Sequence, residues 1–269
     1  MTAPAPSDPD QLAPSCLDAV SVRAVLLDIE GTTTPITFVH DVLFPYARAR
    51  VETYLLTHAG MSETLADIAG LEAQHALDLA NDLDPPMLVP GPERIESIIG
   101  YVQWLIDADR KSTALKTLQG RIWKSGYADG SLQAPIFADV TPAWARWHAA
   151  NLQINIFSSG SVLAQQLLFA HTEAGDLTHF IGHYFDTTTG SKTAMKSYAS
   201  IAAALSLGER EALFISDVSA ELDAASAAGM QTLLCLRPGN PLQSTTHHQR
   251  VHSFEEIPLP VINTLNSCV

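Results

Sequence analysis

Asp28 and Glu30 stand two residues apart in Asp28-Ile29-Glu30-Gly31-Thr32, directly after the apolar run Ala24-Val25-Leu26-Leu27. A carboxylate delivered at the end of a buried strand can attack phosphorus. A second acid two residues on can move a proton or help position a metal. Three further features could act with them. Ser158-Ser159-Gly160 follows one apolar run and opens a helical one, so its hydroxyl and backbone N–H groups can hold phosphate oxygens. Lys192, in Thr189-Gly190-Ser191-Lys192, offers an ammonium to neutralise charge shared by a nucleophile and a phosphate. Asp217, with Glu221 and Asp223 after it, is suited to holding Mg²⁺ beside Asp28.

Taken singly, each feature has a plainer explanation. An acid at a strand end often caps a helix or fills a turn, and Asp217 could be an N-cap. Ser and Gly fill many strand–helix turns, and Lys192 alone could be solvated, with Lys196 nearby. Glu221 and Asp223 read as surface or supporting residues, not direct ligands. Taken together, suitable groups fall on successive strand–loop junctions of one sheet, which capping does not explain. The combination points to a Mg²⁺-dependent phosphohydrolase with Asp28 as nucleophile. His247, His248 and His252 lie in a polar segment without acidic support and read as a solvated loop. Arg237 follows a strand and could face the site or bind a carbonyl there. Trp104, Trp123 and Tyr127 read as core.

These groups need elements to carry them. Val22–Leu27, Ile154–Phe157, Ala212–Ser216 and Thr232–Leu236 are short apolar runs of the kind that form buried parallel strands. Helical spacing appears at 141–149, 162–169, 193–205 and 220–228, between the later strands. The alternation predicts an α/β fold with a doubly wound parallel sheet and right-handed crossovers, whose ligands bind beyond the carboxyl ends of the strands. Between Phe38 and Trp123 the texture differs. Helical periodicity at 40–56, 61–80, 95–107 and 113–123, broken by Asp84-Pro85-Pro86 and Pro90-Gly91-Pro92, predicts an inserted α-helical unit. The expected division is an extension over 1–20, a hydrolase core over 21–37 and 130–269, and a helical cap over 38–129.

Composition limits the partners. The net charge of −14 repels nucleic acid and anionic membrane, so neither is an expected partner, while a small phosphorylated substrate fits a locally positive site. Cys16, Cys235 and Cys268 show no CxxC spacing, which disfavours a disulfide scaffold or zinc knuckle and fits a reducing cytoplasm. The first twenty residues lack a basic region followed by an apolar one and do not resemble a signal peptide. A cytoplasmic monomer is expected.

The order DxxGT, Ser-Ser-Gly, Lys, Asp resembles the haloacid-dehalogenase-like hydrolases. Glu30 departs from that superfamily, which usually has Asp at this place. The longer string Leu27-Asp28-Ile29-Glu30-Gly31-Thr32-Thr33-Thr34-Pro35-Ile36, continued by Asp41-Val42-Leu43-Phe44-Pro45-Tyr46, is similar to the enolase-phosphatase (acireductone synthase) branch of methionine salvage. Asp109-Arg110-Lys111-Ser112-Thr113, Ser158-Ser159-Gly160-Ser161-Val162, Phe185-Asp186-Thr187 and Arg237-Pro238-Gly239-Asn240 extend the likeness from about Val25 to Asn240. Members often carry a lysine after Phe38-Val39, where this chain has His40.

The resemblance implies a Rossmann-like core with a helical cap. It also implies one Mg²⁺ per site and the substrate 2,3-diketo-5-methylthiopentyl-1-phosphate, which is enolised and then dephosphorylated to an acireductone. By position it makes Asp28 the nucleophile and a metal ligand. Glu30 becomes a ligand through its backbone oxygen with its side chain free for proton transfer, Asp217 a further ligand, and Ser158, Ser159 and Lys192 the substrate-binding residues. Two other readings keep parts of this pattern. A generalist phosphatase would share the chemistry at Asp28 and differ in the cap. A receiver-like module would share the acidic strand ends but lack the long insertion, and it is roughly a hundred-residue domain.

Overall fold

The computed structural model describes residues 17–108, 110, 112–208, 210–241 and 247–259. Most of the expected N-terminal extension, Cys16, Cys268, and Asp109 and Lys111 of the quoted segment lie outside the described residues. The chain divides into two compact units, one of residues 1–33, 137–157 and 180–269, the other of residues 34–136 and 158–179.

The first unit is built on a parallel sheet of strands β1 (Ala24–Leu27), β2 (Gln153–Phe157), β3 (Ile181–Phe185), β4 (Ala212–Ser216), β5 (Gln231–Cys235) and β6 (Gln249–Val251). Their order across the sheet is β3-β2-β1-β4-β5-β6. β1 is central and fully buried, with Leu27 in register with Ile156 on one side and Ile215 on the other. The carboxyl ends of β1, β2 and β4 are therefore level. Such strands must be apolar on both faces, which is why their sequences read as continuous hydrophobic runs.

Helices α5 (Val140–Ala149), α7 (Met195–Ala204) and α8 (Ser219–Ala227) also belong to this unit. Tyr198 and Ile201 of α7 and Leu222 and Ala225 of α8 join Leu26, Phe157, Phe214 and Leu234 of the strands in one apolar cluster. Fully burying side chains of this size contributes about 1.5–3 kcal/mol each before entropy is counted. Trp144 and Trp147 of α5 are fully buried, and the Trp147 ring lies 5.4 Å from that of Phe254.

β3 and β6 escaped the sequence reading for a physical reason. Both are edge strands, and their sequences, Ile-Gly-His-Tyr-Phe and Gln-Arg-Val, are only partly buried. A strand with one open edge does not need the apolar run on which the prediction relied.

The second unit is helical. It holds a π-helical turn (Phe38–Leu43) followed by α1 (Phe44–His58), α2 (Ser62–Ala80), α3 (Arg94–Asp107) and α4 (Thr113–Ala128), and later α6 (Val162–Ala170). Ser112 caps α4 by accepting from the Leu115 N–H at 3.1 Å. The Trp123 indole N–H donates to the Leu43 carbonyl at 2.8 Å, tying α4 to the π-helical turn. Inside this unit Asp78 is buried and accepts from Tyr101 Oη at 2.7 Å, Gln74 Nε2 at 2.9 Å and Arg110 Nη2 at 2.8 Å. The insertion thus has its own polar anchor. Segment 158–179, which the sequence division assigned to the core, groups with the helices. α6 packs on α4, with Gly120 facing the Leu163 side chain, and Lys116 Nζ donates to the Ser159 carbonyl at 3.0 Å.

Candidate active site

Asp28 is the first residue beyond β1 and is 2 % exposed. Its backbone N–H still donates to the Ile215 carbonyl of β4 at 3.0 Å, so the sheet ladder fixes the position of its side chain. Asp28 Oδ1 accepts from its neighbour's N–H, that of Ile29, at 2.8 Å and lies 2.6 Å from Lys192 Nζ. Asp28 Oδ2 accepts from Ser216 Oγ, the last residue of β4, at 3.2 Å.

The loop after β1 is held tightly. Thr33 Oγ1 donates to the Ile29 carbonyl at 3.2 Å, and Asn240 Nδ2 donates to the Gly31 carbonyl at 2.8 Å. Gly31 sits at φ +70°, and a Cβ there would come 2.7 Å from Asp217 Cγ. Glycine is needed because backbone and carboxylate meet at that point. Arg237 supports the loop. It donates to the Thr32 carbonyl at 3.0 Å, pairs with Asp139 at 2.8 Å, and stacks on the rings of Phe137 and Phe254. Of the roles open to it from sequence, Arg237 takes the carbonyl-binding one.

Lys192 lies three residues before α7 and is 7 % exposed. Tyr198 Oη donates to its backbone carbonyl at 2.7 Å, so the first turns of α7 hold the lysine in place. Its ammonium is shared between Asp28 and Glu221, the latter at 2.8 Å. Glu221 Oε2 also lies within hydrogen-bond distance of Ser216 Oγ, at 3.0 Å, sharing that hydroxyl with Asp28. The sequence reading treated Glu221 as a supporting or surface residue, and it is a direct partner of the lysine. Its spacing gave a usable signal. Four residues after Asp217, in the first turn of α8, a side chain points back along the helix toward the strand end. Ser216 gave no signal, since a serine closing a strand is unremarkable in sequence.

Asp217 is 5 % exposed and does not cap α8. The N-cap is Val218, which receives no side-chain cap, and the Val218 N–H donates to Ser216 Oγ at 3.1 Å. Burial pushes the Asp217 carboxyl up to about 7, with the charges of Asp28 and Glu30 adding to the effect and Lys192 opposing it. Glu221 is likewise pushed up to about 7 by burial and then by Asp28, again with Lys192 opposing. Burial works against the Lys192 charge, yet the carboxylates of Asp28 and Glu221 outweigh it and raise its pKa. One ammonium shared by two carboxylates stays charged without fully compensating both, and Glu221 is left closer to protonation.

Ser158 and Ser159 directly follow β2, which is in register with β1. They belong to the other unit. Ser158 is buried and its Oγ accepts from the Gly160 N–H at 3.1 Å, while Ser161 caps α6 through the Ala164 N–H at 3.3 Å. The segment therefore presents a turn at a helix start, as the sequence predicts.

Asp28, Asp217 and Glu221 concentrate negative charge around the Lys192 ammonium, and Glu30 adds to the field at Asp217. Oxygen donors held this way, with the Asp217 and Glu221 carboxyls both raised to about 7, are of the type that suits a hard divalent cation. Two buried acids at level strand ends and a fixed ammonium beside them are groups of the kind that phosphoryl transfer uses.

The profile of the haloacid dehalogenase-like hydrolases matches residues 22–229. Enolase-phosphatase E1 of Synechococcus elongatus is 51% identical over 238 residues, covering 88% of this chain and 98% of that protein. The chain belongs to the enolase-phosphatase family of haloacid dehalogenase-like hydrolases. Among other enolase-phosphatase relatives, a Zea mays protein named as a probable bifunctional methylthioribulose-1-phosphate dehydratase/enolase-phosphatase E1 is 43% identical. That match covers 92% of this chain and 49% of the maize protein. The crystal structure of the UTR4 protein of Saccharomyces cerevisiae superposes with a TM-score of 0.69 at 34% identity, covering 87% of this chain and 99% of the yeast chain. The enolase-phosphatase fold found here is the α/β, Rossmann-like one expected from the sequence. The chain is a phosphatase of the hydrolase class, and among its described residues no helix is long and apolar enough to cross a membrane.

Proposed function

We propose that this enolase-phosphatase converts 2,3-diketo-5-methylthiopentyl-1-phosphate to the acireductone and phosphate in methionine salvage, with Mg²⁺ as cofactor. The observation that carries the proposal is the Asp28 carboxylate, fixed at the end of the central strand with Lys192 Nζ 2.6 Å from one oxygen. Asp28 attacks phosphorus, the bond to the leaving enol oxygen breaks, and that oxygen takes a proton. Water then hydrolyses the aspartyl phosphate. Lys192 holds charge shared by the nucleophile and the transferring group, and Ser158 and Ser159 bind phosphate oxygens. Asp28, Glu30 and Asp217 would hold the Mg²⁺, which supplies Lewis-acid stabilisation of negative oxygen when bound.

Enolisation needs a base near carbon before dephosphorylation needs an acid for the leaving oxygen. Glu30 serves both in sequence, since its extra methylene extends its reach beyond that of an aspartate. The test combines the diketone phosphate with Mg²⁺ and follows phosphate release together with the ultraviolet absorbance of the acireductone. Both signals are expected from the native protein, and Asp28→Asn should abolish phosphate release. Phosphate from simple sugar phosphates at equal rates, or normal turnover by Asp28→Asn, would overturn the proposal.

A further inference from the structure

Asp223, two residues beyond Glu221 on α8, faces the other way. Residues two apart on a helix point to nearly opposite sides, so Glu221 turns inward to Lys192 while Asp223 is exposed. There Asp223 meets the histidines that read from sequence as a solvated loop without acidic support. His248 is 4 % exposed, with Nε2 2.9 Å from Asp223 Oδ1 and Nδ1 2.8 Å from Thr232 Oγ1 on β5. His247 Nε2 is 3.7 Å from the same Asp223 oxygen, and the two imidazole rings lie 4.2 Å apart. The acid comes from a helix distant in sequence, which is why the local reading lacked it.

We propose that Asp223, His247 and His248 form a binding site for one divalent transition-metal ion of the zinc class, separate from the carboxylate cluster around Asp28. One ligand atom from each residue lies within 4.8 Å of the others. Zinc bonds of about 2.0–2.2 Å place tetrahedral ligand atoms about 3.3 Å apart. The observed 2.9 and 3.7 Å separations straddle that value, so small side-chain rotations close the site. His247 and Asp223 are exposed, which leaves a fourth position open to water.

Thr232 completes the arrangement. A metal-binding histidine uses one ring nitrogen for the ion and donates an N–H from the other to an oxygen. Thr232 Oγ1 stands at that second nitrogen. Without metal, Nε2 carries the proton to Asp223 and the threonine hydroxyl donates to Nδ1. With metal, Nε2 gives its lone pair to the ion, Nδ1 carries the proton, and the hydroxyl accepts it. The imidazole is neutral in both states, and the proton exchanges through solvent. Burial lowers the His248 pKa; the hydrogen bond to Asp223 opposes this and His247 adds to it, so the neutral ligand form is favoured. Imidazole nitrogen with one carboxylate suits Zn²⁺, Ni²⁺ or Cu²⁺ and suits Mg²⁺ poorly, so the two sites would not compete. An ion here clamps α8, which carries Glu221, to the segment leading into β6.

The test is calorimetric titration of the untagged full-length chain with Zn²⁺ in excess Mg²⁺, which keeps the carboxylate cluster filled. One equivalent of Zn²⁺ should bind. Asp223→Asn and His247→Ala, both at exposed positions and therefore tolerated by the fold, should each weaken binding by about tenfold or more. Phosphate release in Mg²⁺ should be unchanged in both. Co²⁺ should give visible d–d bands with the native chain that are lost in both variants. Absence of Zn²⁺ binding to the native chain, or equal affinity in either variant, overturns the proposal.

Discussion

Lys192→Met removes the ammonium that Asp28 and Glu221 share at 2.6 and 2.8 Å, with the three side chains only 7%, 3% and 12% exposed. Breaking a buried ion pair by deleting one partner costs about 3–5 kcal/mol, because the remaining charge is left uncompensated. With metal chelated at pH 8, the variant should be destabilised by that amount in urea unfolding followed by tryptophan fluorescence. Trp144 and Trp147 are fully buried and report on the core unit. The deficit should also depend on pH. Glu221 is already pushed up to about 7 by burial and Asp28 with the lysine in place. A carboxyl raised on folding binds more protons in the folded state, so its contribution is present below the unfolded pKa and lost as pH rises through the folded one. Without the ammonium that window extends above 7. The deficit relative to the native chain should therefore grow between pH 6 and pH 8, by up to about 1.4 kcal/mol per pH unit for each extra proton held. A deficit below about 1 kcal/mol at pH 8, or one that does not change with pH, would refute the shared-ammonium account.

Gly31→Ala places a methyl group against the Asp217 carboxylate at a φ of +70°. Backbone strain of about 1–2 kcal/mol should lower the melting temperature by a few degrees, while phosphate release falls by about a hundredfold as Asp217 is displaced. Asp139→Asn leaves the buried Arg237 guanidinium without its counter-charge and should cost about 3–5 kcal/mol in urea. Burial opposes the Asp139 charge, but bonds from the Phe254 N–H and Arg237 outweigh it and hold its carboxyl below the usual range. Its contribution is thus present above the unfolded value and lost as pH falls through the lowered one, so the variant should lose less stability on acidification than the native chain. Glu30→Gln should slow both acireductone formation and phosphate release in the coupled assay. Normal rates for both steps would remove Glu30 from proton transfer.

The sequence by itself determined the central strands and the groups at their ends. Strands buried on both faces have to be apolar throughout, so β1, β4 and β5 declare themselves, and the polar residue that ends each run marks the functional edge. Asp28 and Asp217 were legible in this way as candidates, Lys192 only by its place before a helix, and the helical insertion by a period that differs from that of the strands. Edge strands β3 and β6 were not, because an open edge relaxes the demand for apolar residues. Nor were the interactions that make single groups into a site. Only the tertiary structure sets Glu221 against Lys192, puts Ser216 between two carboxylates, closes Asn240 over Gly31 and brings Asp223 to His248. Apolar periodicity is local and repeats along the chain. A hydrogen bond or ion pair between residues 25 or 209 positions apart depends on how the strands are ordered, and that order is decided by packing.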